Sequence, residues 1–475
     1  MARRPASSGA APLTGVDVGW RPWKVVIGCF CLTVPTYGLL SGIGLFQTYW
    51  QRDMLRGYSG SDVSWIISIF GFLDCLFAGP AGTLFDRHGS RWLLPLGCVA
   101  YVASFIGLAF SSTYAQFMGC MTAAGAAAGK DPCIPQTVTF DSGGVLDRFR
   151  LTRGGDTAMP TTIAFSVVGQ WFEARKGIAT GCVTLGAPLG GIFFSLLLQV
   201  LFDRFPWKTA ALVLAATMAC LLSLGSLLVE TNLPVQPANE DSEPALSSVL
   251  RSPKFWLVSY AVFGKPSWAF TSGQTAPFAN THPPPLPTPQ CHTAYELVLF
   301  VQWGTIPSYA VSANVGNKQF YLMMSYNIGA VMGRTLPPWL SDRALGPLNA
   351  IIVMNIFTLL VVLAIWLPVG GSSVAALFVV MVLMGIGTGS FVPLGVSCIN
   401  ALCTPEHTGT WLGSAYSIVS VATLLGNPVS SAILARYHCD GLLAFLAAVL
   451  FSGMISAAAL RWLFHGRRWI FKARV

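Results

Sequence analysis

An all-α, polytopic membrane protein is predicted for this 475-residue sequence, on three observations. Hydrophobic residues make up 53% of the chain and charged residues only 10%, more apolar surface than a water-soluble core can hide. Apolar runs of about 20 residues, the length a helix needs to cross hydrocarbon, recur from end to end. A short basic turn, Gly82-Thr83-Leu84-Phe85-Asp86-Arg87-His88-Gly89-Ser90-Arg91, separates two of these runs, and a related turn, Leu340-Ser341-Asp342-Arg343-Ala344-Leu345-Gly346-Pro347, follows another far downstream. A duplicated turn implies two similar helical halves in one membrane, which the span count below makes pseudo-symmetric six-helix bundles.

The elements follow in order. Residues 1–22 lack the apolar core of a cleavable signal and read as a disordered cytoplasmic tail. Helices are predicted at 23–47, 62–85 and 91–111, a fourth from Tyr114, then at 177–201 and 209–229. Hydrophobicity stops at 231–252, where Pro234, Pro237, Glu240, Asp241, Glu243 and Pro244 mark a solvated linker. It divides an N-terminal bundle (23–230) from a C-terminal one (253–464). One helix within 255–310 and others at 318–339, 349–368, 375–399, 411–435 and 442–464 bring the total to twelve, and 465–475 form a second cytoplasmic tail. Glycines recur inside the runs, as in Gly177-Ile178-Ala179-Thr180-Gly181, Gly186-Ala187-Pro188-Leu189-Gly190 and Gly385-Ile386-Gly387-Thr388-Gly389, and let helix backbones approach closely. The last cluster lies in an apolar run with no preceding strand, which excludes a phosphate loop.

The net charge of +9 does not indicate nucleic acid, because the basic residues form no face of their own. They sit in tails and turns: Arg3, Arg4, Arg21 and Lys24 before the first run, Arg87 and Arg91 after the second, Arg175 and Lys176 after the fourth, Arg461, Arg467, Arg468, Lys472 and Arg474 after the last. By the bias of Lys and Arg toward cytoplasmic loops, both termini are expected in the cytoplasm, with the plasma membrane the expected location. The 12 cysteines lie mostly inside apolar runs and form neither a disulfide framework nor a metal spacing. No nucleophile and base stand at a recognised spacing. The chain is therefore expected to be no enzyme, with no metal, no cofactor and no obligatory protein partner; its partners are the lipid bilayer, a small-molecule solute and protons.

Twelve spans, a central linker and the repeated Asp-Arg turn resemble the major facilitator superfamily, whose two bundles rock about a central cavity. The first turn matches the superfamily signature through Gly82, Asp86, Arg87, Gly89 and Arg91. Within it, Asp17-Val18-Gly19-Trp20-Arg21-Pro22-Trp23 resembles the lead-in of the monocarboxylate transporter family, and fungal members are the most similar. Supporting stretches are Gly169-Gln170-Trp171-Phe172-Glu173-Ala174-Arg175-Lys176-Gly177, Leu250-Arg251-Ser252-Pro253-Lys254-Phe255 and Ile306-Pro307-Ser308-Tyr309-Ala310-Val311. The resemblance implies movement of a small organic anion by alternating access, with symport of protons; efflux of a fungal metabolite is the alternative. It also implies an arginine in the eighth helix, matched by Arg334. The carboxylate one turn before it is replaced by Ala330, and the first-helix lysine of lactate carriers by Ser41.

An ionisable side chain inside a membrane helix costs a few kcal/mol, so its presence argues for function. Two are recognised. Arg334, about 12 Å above Asp342 at the rise of a helix, is the candidate cation for a substrate carboxylate, against the alternative of a buried partner to Asp74 or to backbone carbonyls. Asp74, about 18 Å above Asp86, is the candidate for proton coupling, against a protonated packing residue. Tyr37, Ser41 and Asn327 complete the candidate substrate pocket, although Tyr37, Asn327, Tyr326 and Asn400 also read as interhelical hydrogen bonds. Gly82, Asp86, Arg87, Gly89 and Arg91, with Asp342 and Arg343, read as a cytoplasmic gate in which an aspartate meets a neighbouring helix N-terminus.

Two stretches do not belong to this pattern. Residues 130–158 carry Lys130, Asp131, Asp141, Asp147, Arg148, Arg150, Arg153 and Asp156, and residues 265–294 carry Pro266, Pro277, Pro283, Pro284, Pro285, Pro287 and Pro289. Neither can cross hydrocarbon as a helix. Joining Gly129 to Pro160 and Gly264 to Tyr295 restores two continuous spans. Each insert starts with a lysine after a glycine, a pair that GTAAG, the start of a typical intron, can encode; both are read as translated introns. A further reading is then a non-transporting membrane sensor or a product inactivated by the inserts.

Overall fold

The structure is a computed structural model, described here for residues 19–78, 93–129, 164, 167–168, 171–172, 176–230, 288–313, 315, 318–369, 373–402 and 408–464. Every regular element among these residues is helical. The signature turn at 82–91, the linker at 231–252 and the insert at 130–158 lie outside the described residues.

The first run is not one straight helix. It opens as α1 (Trp20–Thr33), widens into a π-helical turn at Val34–Gly38, turns at 41–43, and continues as α2 (Gly44–Tyr49) and a second π turn at Trp50–Met54. Helix begins at Trp20 rather than at 23 because Pro22 falls in the first turn, where its missing N–H is needed by no carbonyl; residues 20–22 leave the expected tail. Pro35 cannot donate within the helix, and the widened turn forms around it.

α3 (Gly60–Leu76) starts on a capping box: Ser59 Oγ accepts the Asp62 N–H at 3.2 Å, and the Asp62 carboxylate accepts the Ser59 N–H at 3.0 Å. Then come α4 (Leu93–Ala109), α5 (Tyr114–Gly129), α6 (Lys176–Thr184), α7 (Gly186–Arg204) and α8 (Trp207–Leu228). The later half holds α9 (Thr288–Ser312), α10 (Gln319–Leu340), α11 (Pro347–Leu360), α12 (Val374–Gly389), α13 (Phe391–Leu402) and α14 (Thr408–Phe464). α14 is two helices divided at His438, whose φ of 57° is a left-handed conformation that disfavours a side chain. Residues 288–294, assigned to the second insert, form the first turns of α9, and Thr293 there is buried.

Five of these stretches are long and apolar enough to cross a membrane: Ile178–Arg204, Trp207–Leu228, Pro347–Trp366, Val374–Cys398 and Ala415–Ala459. The exterior is apolar, with Leu227 78% and Val99 68% exposed, while Asp74, Glu296, Gln302, Asn327 and Arg334 are buried. A soluble protein has the reverse arrangement; here lipid is the solvent, and polar side chains turn inward to one another.

Within the first half, α1 packs on α8, α4 on α5 and α8, and α3 on α5; within the second, α9 and α11 pack on α14 and α10 on α12. Several pairs join the halves, among them α6, which meets α10 and α13. α3 meets the early part of α14, where Ser417 Oγ donates to the Leu76 carbonyl at 2.8 Å and Ser61 Oγ to that of Pro428 at 3.4 Å. α7 meets α10, with Gln199 Nε2 on the Tyr321 hydroxyl at 3.2 Å. α2 meets α9, where Gly44 lies against the carbonyls of Trp303 and Gly304.

The glycine spacings have the packing role expected of them. Gly329 and Gly333 of α10 lie against the backbone of α12 at Val382 and Ile386, Gly385 and Gly389 of α12 lie against that of α10 at Tyr326 and Ala330, and a Cβ on Gly385 would stand 2.8 Å from the Ala330 nitrogen, too close for either helix to keep its place. Gly385→Val is expected to destabilise the purified protein by about 1–3 kcal/mol through overpacking. His438→Gly, which removes left-handed strain, is expected to stabilise it by about 1 kcal/mol. Thermal melts followed by tryptophan emission check both.

Candidate functional site

The site begins with a missing hydrogen bond. Thr184 at the end of α6 would pass its carbonyl to the N–H four residues on, but that residue is Pro188, which has none. Arg334 of α10 takes the orphaned carbonyl through Nη1. Arg334 is 2% exposed, and its Nε has no hydrogen-bond partner among the described residues. The alternative of a backbone carbonyl partner is therefore realised, without exhausting the group.

The charge around Arg334 comes from a residue the sequence reading passed over. Its electrostatic neighbours are Glu296, Tyr326, Tyr416 and Tyr37; Asp74 is not among them. Glu296 is 1% exposed on α9, about 12 Å from the helix start at Thr288 by helical rise. With Gly264 joined to Tyr295, Glu296 falls just past the seam of a restored span and goes unremarked there; the structure places it deep in a buried helix. Its position in the apolar run Tyr295-Glu296-Leu297-Val298-Leu299-Phe300-Val301 was the available signal. Glu296 brings a carboxylate from another helix within electrostatic reach of Arg334, where position 330 offers only an alanine. The neighbouring Tyr295 fixes the face of α9 by donating to the Gly453 carbonyl at 3.1 Å.

Asp74 on α3 is buried beside Tyr37, Tyr101 and Tyr416, a second acidic position separate from the Arg334–Glu296 pair. Tyr37 lies in the π turn of the first helix with its ring edge-on to Trp303 at 6.2 Å, and it is electrostatically linked to both acidic positions. Tyr326 joins three helices: its hydroxyl is bonded to the Trp303 indole and lies 2.8 Å from Thr388 Oγ1. Since Thr388 Oγ1 donates to the Met384 carbonyl at 2.8 Å, the Tyr326 hydroxyl is the donor to Thr388.

Ser41 and Asn327 come together elsewhere. Ser41 Oγ donates to the Gly38 carbonyl at 2.8 Å, Asn327 Nδ2 donates back to Met323 at 3.0 Å, and both crowd the Cα of Gly191. They form a joint of the first helix, α7 and α10, with the Ser41 hydroxyl and one N–H of Asn327 given to backbone carbonyls. Asn400 has no described side chain.

At the end of α10 the chain forms a π turn, Ser341–Leu345. The Asp342 carboxylate accepts the backbone N–H of Ile178, the third residue of α6, and thereby caps a helix of the other half; Arg343 lies over the Trp339 ring at 4.7 Å. Of the expected gate, Gly82, Asp86, Arg87, Gly89 and Arg91 fall outside the described residues.

The family model described as Major Facilitator Superfamily matches residues 152–282 and 291–473. The chain belongs to the major facilitator superfamily. It is 28% identical over 447 residues to MFS-type transporter 1 of Ophiocordyceps sp., covering 92% of this chain and 85% of that one. It is 26% identical over 458 residues to the agnestins efflux protein of Paecilomyces divaricatus, covering 96% and 90%. Its fold is similar to the crystal structure of the human organic anion transporter MFSD10, with a TM-score of 0.60 at 15% identity over 92% of this chain and 97% of that one. The protein is thus a multi-pass major facilitator transporter of the fungal type, in a family that carries small-molecule solutes across membranes.

Two motifs that suggested membership meet in space: Trp23 packs edge-on to Phe172 at 5.4 Å, and the Trp171 indole donates to the Glu230 carbonyl at 2.9 Å. Asp342→Ala is expected to weaken the cap on α6 by about 1 kcal/mol, which opens that end of the transporter roughly fivefold more often. Maleimide labelling of Cys182 on α6, with the other cysteines replaced, is the measurement; an unchanged rate would show that Asp342 holds nothing shut.

Proposed function

We propose that this transporter moves a small organic anion together with a proton, by alternating access between two six-helix bundles of twelve spans in total, with both termini cytoplasmic in the plasma membrane. The observation that carries the reading is a buried Arg334 within electrostatic reach of the buried Glu296 carboxylate. With Glu296 ionised, the pair is neutral and a second carboxylate is repelled. With Glu296 protonated, the Arg334 charge is released to bind a substrate carboxylate, favoured by the low dielectric around it. Proton and anion then bind together, and neither is favoured alone. Asp74, linked through Tyr37 and Tyr416 to the same centre, is a second proton position.

Proteoliposome uptake of labelled lactate, pyruvate and benzoate under an imposed proton gradient tests this. Arg334→Gln is expected to lower uptake at least thirtyfold, the effect of about 2 kcal/mol or more for loss of one member of a buried charge pair. Glu296→Gln is expected to retain anion exchange and to lose acceleration by the gradient. Transport of all three acids at the wild-type rate by Arg334→Gln would remove the anion site.

Export of a metabolite is the second reading, supported by the similarity to the agnestins efflux protein. The small molecules retained by a deletion strain distinguish it. The intron reading of the two stretches rests on the sequence at their seams, since the family match runs through 152–158, 265–282 and 291–294. Reads of the mature transcript running through both stretches as the dominant species would overturn it.

A further inference from the structure

A cavity of about 710 Å³ lies at the end of the molecule opposite Asp342, where α2 and α9 end and α3 and α10 begin. Its volume is within the range of sites for drug-sized molecules. Along α10 it is about 22 Å from Arg334, fifteen residues at the helical rise, so the two are separate places.

The lining has an unusual defect. Gln47, Ser308, Gln319 and Ser431 all line the cavity, and each has a buried polar atom with no hydrogen-bond partner among the described residues: Oε1 of both glutamines and Oγ of both serines. Gln47 is 1% exposed and Ser431 8%. Gln47 is oriented by its own amide, since Nε2 donates to the Gly60 carbonyl at 3.1 Å and leaves Oε1 over. Buried polar atoms are otherwise nearly always satisfied, and each orphan costs about 1–3 kcal/mol. Four along one cavity are the imprint of a ligand that satisfies them.

Their chemistry states which ligand. The two amide oxygens only accept and the two hydroxyls both accept and donate, so the set calls for a ligand whose groups do both, as hydroxyls do, rather than for a carboxylate, which only accepts. The ionised groups on the wall, Arg52 and Asp203, are of opposite sign, and Arg52 is already held by Asp53 at 2.9 Å. Tyr49, stacked on Phe202 at 4.1 Å with their planes 22° apart, supplies a flat aromatic wall. We propose that this cavity is a second solute site, distinct from the Arg334 centre, that binds an uncharged, hydroxyl-rich molecule bearing a flat ring.

The test uses the full chain in lipid nanodiscs and two fluorescent probes, methylumbelliferyl glucoside, which is neutral and hydroxylated, and methylumbelliferyl sulfate, which is anionic. Fluorescence anisotropy is expected to show saturable binding of the glucoside, weakened about tenfold by Gln47→Leu and by Ser431→Ala through the lost acceptors. It is also expected to be blocked by Ser312→Trp, a substitution at the exposed rim that leaves the buried packing alone. Sulfate binding reports the Arg334 centre, so its loss in Arg334→Gln with the glucoside retained separates the two sites, and failure of the sulfate arm alone leaves the cavity standing. Absence of saturable glucoside binding, or binding that all three cavity substitutions leave within about twofold, overturns the proposal.

Discussion

A backbone carbonyl that loses its helical partner where there is no water must be answered by something else, and the arrangement of this transporter depends on Arg334 answering Thr184. Pro188 creates the vacancy, α10 supplies the donor, and the contact ties the first half of the chain to the second. The same logic recurs with glycine as the partner. Pro338 frees the carbonyl of Arg334, and Gly181 of α6 lies against it; Pro307 frees that of Trp303, and Gly44 of α2 lies against that one. Proline on one helix and glycine on its neighbour thus act as a pair, the first releasing an acceptor and the second letting a backbone come close enough to cover it.

Fixing Arg334 by one nitrogen to a carbonyl leaves its charge to be answered separately, and Glu296 is placed to do so. An arginine with a carboxylate of its own is a switch; without one it is a permanent anion trap that releases nothing. In the proposed cycle the site must bind weakly enough to let go, and Glu296, on a different helix, is the internal carboxylate that competes with the substrate while the charge stays buried. Tyr37, Tyr326 and Tyr416 surround the pair with hydroxyls, a polar lining that stabilises either partner without adding charge of its own.

The two ends of the molecule differ. Asp342 on Ile178, Arg334 on Thr184 and Ser417 on Leu76 all join the halves toward one end, whereas the 710 Å³ cavity occupies the other. Contacts between halves that are individually worth a kcal/mol or so are well suited to such a machine, because a bound solute needs only a few kcal/mol of differential affinity to exchange one closed end for the other.

Much of this was legible in the residues. Composition determined that lipid is the solvent, run lengths located most of the described helices, the Asp-Arg turn pointed to the superfamily, and the intramembrane cost of charge singled out Arg334 and Asp74. Helix breaks at Pro35 and within 41–43 were less visible, since a proline states that a hydrogen bond is lost and not how the chain repairs it. What the tertiary structure alone decided is which groups meet: Glu296 rather than Asp74 beside Arg334, Ser41 and Asn327 at a packing joint, and four unanswered polar atoms around one cavity. The reason is physical. A helix that is apolar on nearly every face carries no periodic mark of its rotation or depth relative to its neighbours, so side chains far apart in the chain come together only through packing of the whole.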